Sequence, residues 1–417
     1  MKMMNTIRVP QLAWYGAKEL ALPLPDSWQV EVCNMTGYHH VAMKPDEIRT
    51  ALGNPIGTPP IRELAKGKEE VVIIVDDMTR VTRAAEIVPF VLEELAEAGI
   101  PDNRIRFIVA LGCHGALNRV DFAKKLGEET LARFPVYNHN AFGNCVYVGT
   151  TSYDTKLYIN EEVMRCDLKI AIGSVVPHPH TGFGGGGKII LPGVCSFGTI
   201  VHFHRQEFIF REKYPDRRII GMGVIDENPL RLNVAEAVAI AGLDVKIDCL
   251  INMWGETVAI FAGAPKPAYA AAVGEAISHY LTSKTEVGNV VIANTFAKAN
   301  ESIIIGLHAA FSGVAPEGGD VVLISNAPDG QVTHYLLGSF GRNSGGPLRL
   351  QMKIPEHVNR VIIYSEYPDI TGGQYIEQSD KVLFLYKWDD VLQVLQETHG
   401  ADTKVIVYPN AEIQYRV

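Results

Sequence analysis

Apolar positions along this chain fall into short dense runs, each followed by a stretch with helical spacing. Residues 71–77, VVIIVDD, are β-branched without alternation, the pattern of a strand covered on both faces. Residues 84–99 place Leu and Glu so that one helical face is apolar. Pro89 predicts a kink or a later start in that helix, and Gly99 a stop. The next strand is predicted over 106–112 and the next helix over 119–134. A third strand, Leu168–Ser174, leads into a glycine-rich loop, and further on 247–254 reads as strand and 267–282 as helix.

The pattern restarts near Asn289. Strands are predicted over 289–296, 320–325, 360–364 and 381–387, then a helix over 388–400 and a last strand, Lys404–Tyr408. This alternation predicts parallel βαβ units and an α/β fold. The short polar stretch 283–288 separates the two series. It divides the chain into two α/β domains, 1–283 and 284–417, with mainly parallel sheets and a cleft between them, the last strand being free to return to the first domain. In open α/β sheets ligands bind beyond the carboxyl ends of strands. Asp77, His114 and the loop after Ser174 lie at such ends and are expected to converge.

With 417 residues, 47% of them hydrophobic, the chain has enough apolar material for two or three cores. The net charge of −9 and the lack of any basic run argue against nucleic-acid binding, which needs clustered Lys and Arg. The first residues, MKMMNTIRVPQLAWYGAKEL, have no unbroken apolar stretch after the early lysine, so no signal peptide is expected. No segment approaches the roughly 20 apolar residues that span a bilayer. A soluble, cytoplasmic protein without membrane association is the expectation. Cys33, Cys113, Cys145, Cys166, Cys195 and Cys249 are scattered without CxxC pairing, which predicts reduced, buried thiols.

The most unusual stretch is 177–193, PHPHTGFGGGGKIILPG. Gly184, Gly185, Gly186 and Gly187 cost backbone entropy on ordering, and such a run is not expected to serve packing. It permits close backbone approach to a ligand, and its N–H groups are able to cradle an anion. Lys188 follows directly. A flexible hairpin with a solvated lysine is the plainer alternative. A Walker A loop is excluded because Ile189 stands where Ser or Thr is required. His178, His180, His202 and His204 flank the loop, and histidine is the usual metal ligand and proton carrier near neutral pH. Their spacing is not that of HExxH. In Asp77-Met78-Thr79-Arg80, Arg80 suits a bidentate grip on a carboxylate. The alternative there is a surface ion pair with Thr79 or Thr82 as a helix N-cap.

Taken together, DMTR at one strand end, a histidine at the next, the 177–193 segment and a histidine sixteen residues after its lysine resemble the nickel-dependent lactate racemase family. The resemblance covers most of the first domain and implies that 1–283 binds the cofactor and carries out catalysis. It implies a nickel-pincer nucleotide, a pyridinium mononucleotide with sulfur ligands to nickel, covalently linked through Lys188. His204 would be the nickel ligand, His178 and His114 the two catalytic acid/bases, and Arg80 the residue orienting the substrate. Asp77 would lie close to the cofactor or substrate, and the four glycines would let the backbone approach the cofactor. The implied activity is racemisation or epimerisation of a 2-hydroxy acid at C2. A hydride route avoids the carbanion of a weakly acidic C–H, and the cofactor must be made by dedicated synthesis proteins.

Lactate racemases carry a Gln and a Lys in the loop after the first strand of the second domain. Here residues 293–310 read ANTFAKANESIIIGLHAA, with Ile303 and Gly306 at those positions and Lys298, Asn300 and Glu301 nearby. A 2-hydroxy acid or sugar acid other than lactate is therefore expected. His114 is flanked by Cys113 and Gly115 where the family often has Thr and Arg, and Arg83 and Arg119 are near enough in sequence to compensate. His180 and His202 are further candidate contacts. Two other readings stay open: a hydrolase or lyase with a histidine-bound zinc or iron and Asp77 as base, and a non-catalytic phosphate- or nucleotide-binding protein. A dinucleotide dehydrogenase is disfavoured because no GxGxxG follows a strand. Oligomeric state is open, a homo-oligomer included.

Overall fold

The computed structural model describes residues 5–283, 287–301, 304–338, 341 and 351–415. Two six-stranded sheets organise it. The first has the order Thr257–Gly263, Val245–Ile251, Leu168–Ser174, Val71–Asp76, Ile105–Ala110, Val136–Asn138. All its neighbours are parallel except the antiparallel edge strand Thr257–Gly263. The unbroken apolar run at 71–75 now has its explanation. Val71, Ile73 and Val75 enter one core while Val72 and Ile74 enter another, so both faces are covered.

The second sheet is parallel throughout, in the order Val382–Leu385, Val358–Tyr364, Gly319–Ser325, Val290–Thr295, Lys404–Tyr408, Gln29–Val32. Val290 and Ile292 face one core and Val291 and Ala293 the other. Here the chain departs from the expected division. Lys404–Tyr408 does not return to the first sheet; it pairs with Val290–Thr295 and Gln29–Val32. It is the start of the chain that crosses over. The hairpin Asn5–Gln11 with Lys18–Leu24 buries Ile7, Val9, Leu22 and Leu24 in the same core as Val290 and Ile292. Val405 and Val407 make that core attractive to a short amphipathic strand, and residues 29–32 are too few for a periodic signal.

Two predicted helices differ in detail. Ala84–Glu97 runs continuously through Pro89, which lies on the exposed side, where the carbonyl left without a donor meets water. Residues 119–134 form two helices, Arg119–Leu126 and Glu128–Arg133, because Gly127 takes a φ of 85° between them. The six cysteines are free thiols, all but Cys145 buried. Among the described residues no helix is long and apolar enough to cross a membrane.

Candidate active site

Val71–Asp76 is where the first sheet changes direction. From it the chain builds outward through Ile105–Ala110 to Val136–Asn138, then crosses back to place Leu168–Ser174 on the other side. The loops at the carboxyl ends diverge at such a switch point and leave a crevice. A cavity of about 480 Å³ opens there. From the first sheet Asp77, Arg80, His114, His178, Lys188 and His204 line it, and from the second Glu301, Ile305, His308 and His334. The expected convergence of the three loops is thus present in the geometry.

The DMTR turn is fixed from beneath. The buried Lys125 ammonium donates to the carbonyls of Asp77 at 3.0 Å and Arg80 at 2.8 Å, and pairs with Asp76 at 2.6 Å. Asp77 Oδ1 accepts from the backbone N–H of Thr79 at 2.9 Å and from its hydroxyl. Its Oδ2 lies 2.6 Å from His114 Nδ1. Burial pushes the Asp77 carboxyl up, but His114, then Arg80 and Thr79, outweigh it and hold it below the usual carboxylate range. An ionised Asp77 fixes the His114 tautomer: Nδ1–H donates to it and Nε2 is left as the basic atom. Asp77, expected close to the cofactor or substrate, lines the cavity, and its oxygens also bind Thr79 and His114. Thr79 and Thr82 do not cap the following helix, since their hydroxyls go to Asp77 and Asp76.

Lys188 sits on the short 3₁₀ turn Gly186–Ile189, with Nζ 2.6 Å from His178 Nε2. His178 Nδ1 accepts from the N–H groups of His180 at 3.2 Å and Thr181 at 3.4 Å. A neutral His178 therefore carries its proton on Nε2 and donates it to the lysine lone pair. The electrostatics agree. Burial first, then Arg80, Arg231 and Lys298, holds Lys188 well below the usual lysine range. Burial and Lys188 hold His178 well below the usual histidine range. Lys188 is thus a partly buried amine whose charged form is disfavoured.

His204 lies on the helix Phe197–Lys213, whose N-cap is Ser196. Its Nδ1–H donates to the Ile200 carbonyl at 2.8 Å, which leaves Nε2 with a free lone pair. Burial lowers its pKa to about 4 despite that carbonyl, so the imidazole is neutral and competent to ligate a metal. His180 pairs with Glu207, which also binds Arg211 at 2.9 Å, and both His180 and Glu207 line the cavity. His202 lies elsewhere, beside Gln206.

The glycine run is packed, contrary to expectation. A Cβ on Gly185 would meet Val175 and Asp248; one on Gly186, the Tyr269 ring; one on Gly187, Val238 and Val234. Gly185 and Gly186 also have φ of 68° and 54°, which L side chains rarely adopt. Gly184, Gly185 and Gly186 line the cavity with their backbone, whereas Gly187 faces the helix Pro229–Ala241. Arg231, on that helix, donates to the carbonyls of Thr181, Phe183 and Gly185 and lies 4.3 Å above the Tyr269 ring. Asp248 accepts the Gly186 N–H at 2.9 Å. Nothing in the local sequence marked Arg231, Tyr269 or Asp248, because each reaches the loop from a distant element.

The second sheet closes the site. Residues 333–335 bridge to 113–115 through Gly115 N–H to the Thr333 carbonyl at 2.8 Å and Tyr335 N–H to the Cys113 carbonyl at 2.9 Å. This lays the buried His334 ring 4.9 Å from that of His114. Cys113, His114 and His334 offer potential ligand atoms within 4.8 Å of one another, and His204 is not in that group. Sequence reasoning missed His334, whose approach depends on the two sheets meeting. Of the two positions expected to face the substrate, Ile303 lies outside the described residues. Gly306 is inside the helix Ile304–Gly313, packed on Leu323 and Thr295. Glu301 instead reaches the cavity and pairs with Arg80 Nη1 at 2.8 Å. Arg119 is spent on an exposed pair with Glu128, and Arg83 on Glu86 and the Trp254 carbonyl.

A family model described as the lactate racemase N-terminal domain matches residues 15–214. Lactate racemase from Thermoanaerobacterium thermosaccharolyticum is 30% identical over 334 residues, 78% of this chain and 76% of the relative. Lactate racemase from Lactiplantibacillus plantarum is 28% identical over 301 residues, 70% of this chain and 68% of the relative. The solved lactate racemase apoprotein from T. thermosaccharolyticum superposes with a TM-score of 0.75, covering 99% of this chain and 100% of that one at 22% identity. A Thermotoga maritima protein superposes with a TM-score of 0.66 over 91% of this chain and 100% of its own, at 17% identity. These two superpositions establish the shared fold.

Proposed function

The chain belongs to the lactate racemase family and is a racemase; from that premise we propose that it inverts C2 of a 2-hydroxy acid larger than or different from lactate. The cofactor we propose is the nickel-pincer nucleotide, supplied by cofactor-synthesis proteins in the cytoplasm. The donor set fits it. Covalent attachment requires an uncharged amine, and desolvation beside His178 holds Lys188 well below the usual lysine range. Nickel ligation by a histidine requires a neutral imidazole with a free nitrogen, and His204 has Nδ1 committed to Ile200. Lys188 would carry the link, His204 would hold the metal, and the backbone of Gly184, Gly185 and Gly186 would lie alongside. When bound, the cofactor supplies a reversible hydride acceptor.

The remaining work falls to this chain. Arg80 orients the substrate carboxylate. His114, held by Asp77, presents Nε2 to take or return the hydroxyl proton, and His178, from a different loop, serves the opposite face. Inversion needs two such groups, because each face of the planar keto acid must be served in turn. The observation that carries this reading is the conjunction of a 2.6 Å Lys188–His178 contact with an Asp77-held His114 in one cavity.

The test is chiral chromatography of 2-hydroxy acids incubated with holoprotein co-expressed with the synthesis proteins. His114→Ala and His178→Ala are each expected to lower kcat by about 10²–10⁴-fold, the usual contribution of a general acid/base. Full inversion activity in both variants would contradict the assignment. Stoichiometric zinc together with activity that survives Lys188→Ala would instead favour a metal hydrolase or lyase built on the Cys113, His114 and His334 group.

A further inference from the structure

Arg80 is not alone at the substrate end of the cavity. Every side-chain hydrogen bond and ion pair found for it among the described residues runs through Nη1, to Thr79 and to Glu301. Glu301 is 7% exposed and lines the cavity, and its Oε2 makes no well-aligned hydrogen bond. Behind it lies Lys298, 3% exposed, with Nζ 3.7 Å from Glu301 Oε2 and no hydrogen-bond partner among the described residues. A buried carboxylate at the cavity and a buried ammonium behind it therefore both have bonding capacity unused, a costly arrangement unless a ligand completes it.

The loop that carries them is hydrogen-bonded to two other segments. Glu412, itself buried, accepts the N–H groups of Phe296 and of Lys298, the latter at 2.9 Å. Gln331 donates to the Ala299 carbonyl at 2.8 Å, and Val332 N–H to the Asn300 carbonyl at 2.7 Å. Burial raises the Glu301 pKa, but Arg80 and Lys298 outweigh it and bring it to about 2, so the carboxylate is ionised near neutral pH. Burial and Arg80 bring Lys298 down to about 8, so it remains largely protonated.

We propose that Glu301, positioned by Lys298, recognises a hydroxyl group beyond C2, so that the substrate is a polyhydroxylated 2-hydroxy acid. This rests on the racemase reading and narrows its substrate. Three kinds of group are in competition for that place. An alkyl or aryl group would leave Glu301 Oε2, ion-paired with Arg80, without a donor to complete its hydrogen bonding. A second carboxylate would meet the ionised Glu301 and Asp77 when the first carboxylate has already added a negative charge. A hydroxyl donates to Glu301 and accepts from a cation, which satisfies the pair without adding charge. Because charged groups at this end come in equal numbers, Arg80 and Lys298 against Asp77 and Glu301, one substrate carboxylate is the most the local balance accommodates cheaply.

The test compares three four-carbon acids on holoenzyme: 2-hydroxybutanoate, malate and threonate. Inversion at C2 is read by chiral chromatography, and binding of each acid to apoprotein by isothermal titration calorimetry. Threonate is expected to have the highest kcat/KM and to bind about 10-fold tighter or better than either competitor, the usual effect of a hydrogen bond to a buried charge. Glu301→Gln is expected to erase most of that preference through KM, with a smaller change in kcat. Lys298→Met, with circular dichroism to confirm folding, is expected to weaken it in the same direction. Turnover that favours 2-hydroxybutanoate or malate, or a threonate preference that survives Glu301→Gln, overturns the role of the pair and leaves the racemase reading standing. Absence of inversion with all three acids counts against the racemase reading. The apoprotein affinities then decide on Glu301 separately, and equal binding of the three acids overturns it.

Discussion

Asp77 illustrates how one residue sets the chemistry of another. Thr79 donates to its Oδ1 and His114 faces its Oδ2. What it contributes is a single tautomer of His114, with the basic lone pair at Nε2. Asp77→Asn tests this, because an amide presents either a donor or an acceptor to Nδ1 and no longer holds the tautomer. We expect kcat to fall by about 10²–10⁴-fold with KM little changed, as for other aspartates that orient a catalytic histidine. A steady-state comparison on holoenzyme, with chiral product analysis, checks it, and a fall confined to KM would speak for a substrate contact. Lys188, His114 and His178 were all legible in the sequence, because their neighbours form a recognisable string. The function of Asp77 was not, since it depends on a 2.6 Å contact across 37 residues of chain. Glu301 and His334 were harder still: they enter the cavity only because the second sheet docks against the first.

At the level of elements, the glycine loop is a packing device as much as a ligand-binding one. Asp248, Tyr269, Val234 and Val238 fill the space where side chains would be, and Arg231 ties down the carbonyls. The sequence marked the loop as unusual but misread the reason, because its packing partners lie some 40 to 85 residues further along the chain. Gly186→Ala should therefore destabilise the apoprotein by about 1–3 kcal/mol, combining overpacking against Tyr269 with a left-handed φ. Urea unfolding followed by circular dichroism measures it, and an unchanged midpoint would show that the loop is free to move. The strands were legible where they are long and buried on both faces, as with Leu168–Ser174 and Lys404–Tyr408. The helix Phe197–Lys213 was not foreseen. Polar and apolar residues are mixed around it because one end packs on the core while His204 and Glu207 face the cavity.

In the whole molecule, the two sheets are tied together from both ends of the chain. The hairpin and the strand Gln29–Val32 belong to the second sheet, and the chain then crosses to build the first. A chain starting at residue 33 should lose the edge strand and the apolar cover over Val290 and Ile292. Hydrogen exchange is expected to show protection lost over Val290–Thr295 and Lys404–Tyr408, while Val71–Asp76 keeps more of its own. Uniform protection across both sheets would contradict that. In the proposed function a bound nickel-pincer nucleotide, and none of the six free thiols, supplies the redox chemistry. The central claim is that Lys188 carries this cofactor. Intact-mass and nickel analysis of the protein co-expressed with the cofactor-synthesis proteins addresses it most directly. We predict a cofactor-sized mass increase that maps to Lys188, near-stoichiometric nickel, and loss of the mass increase in Lys188→Ala. An unmodified mass without nickel, from a co-expression that loads another family member, would contradict the account.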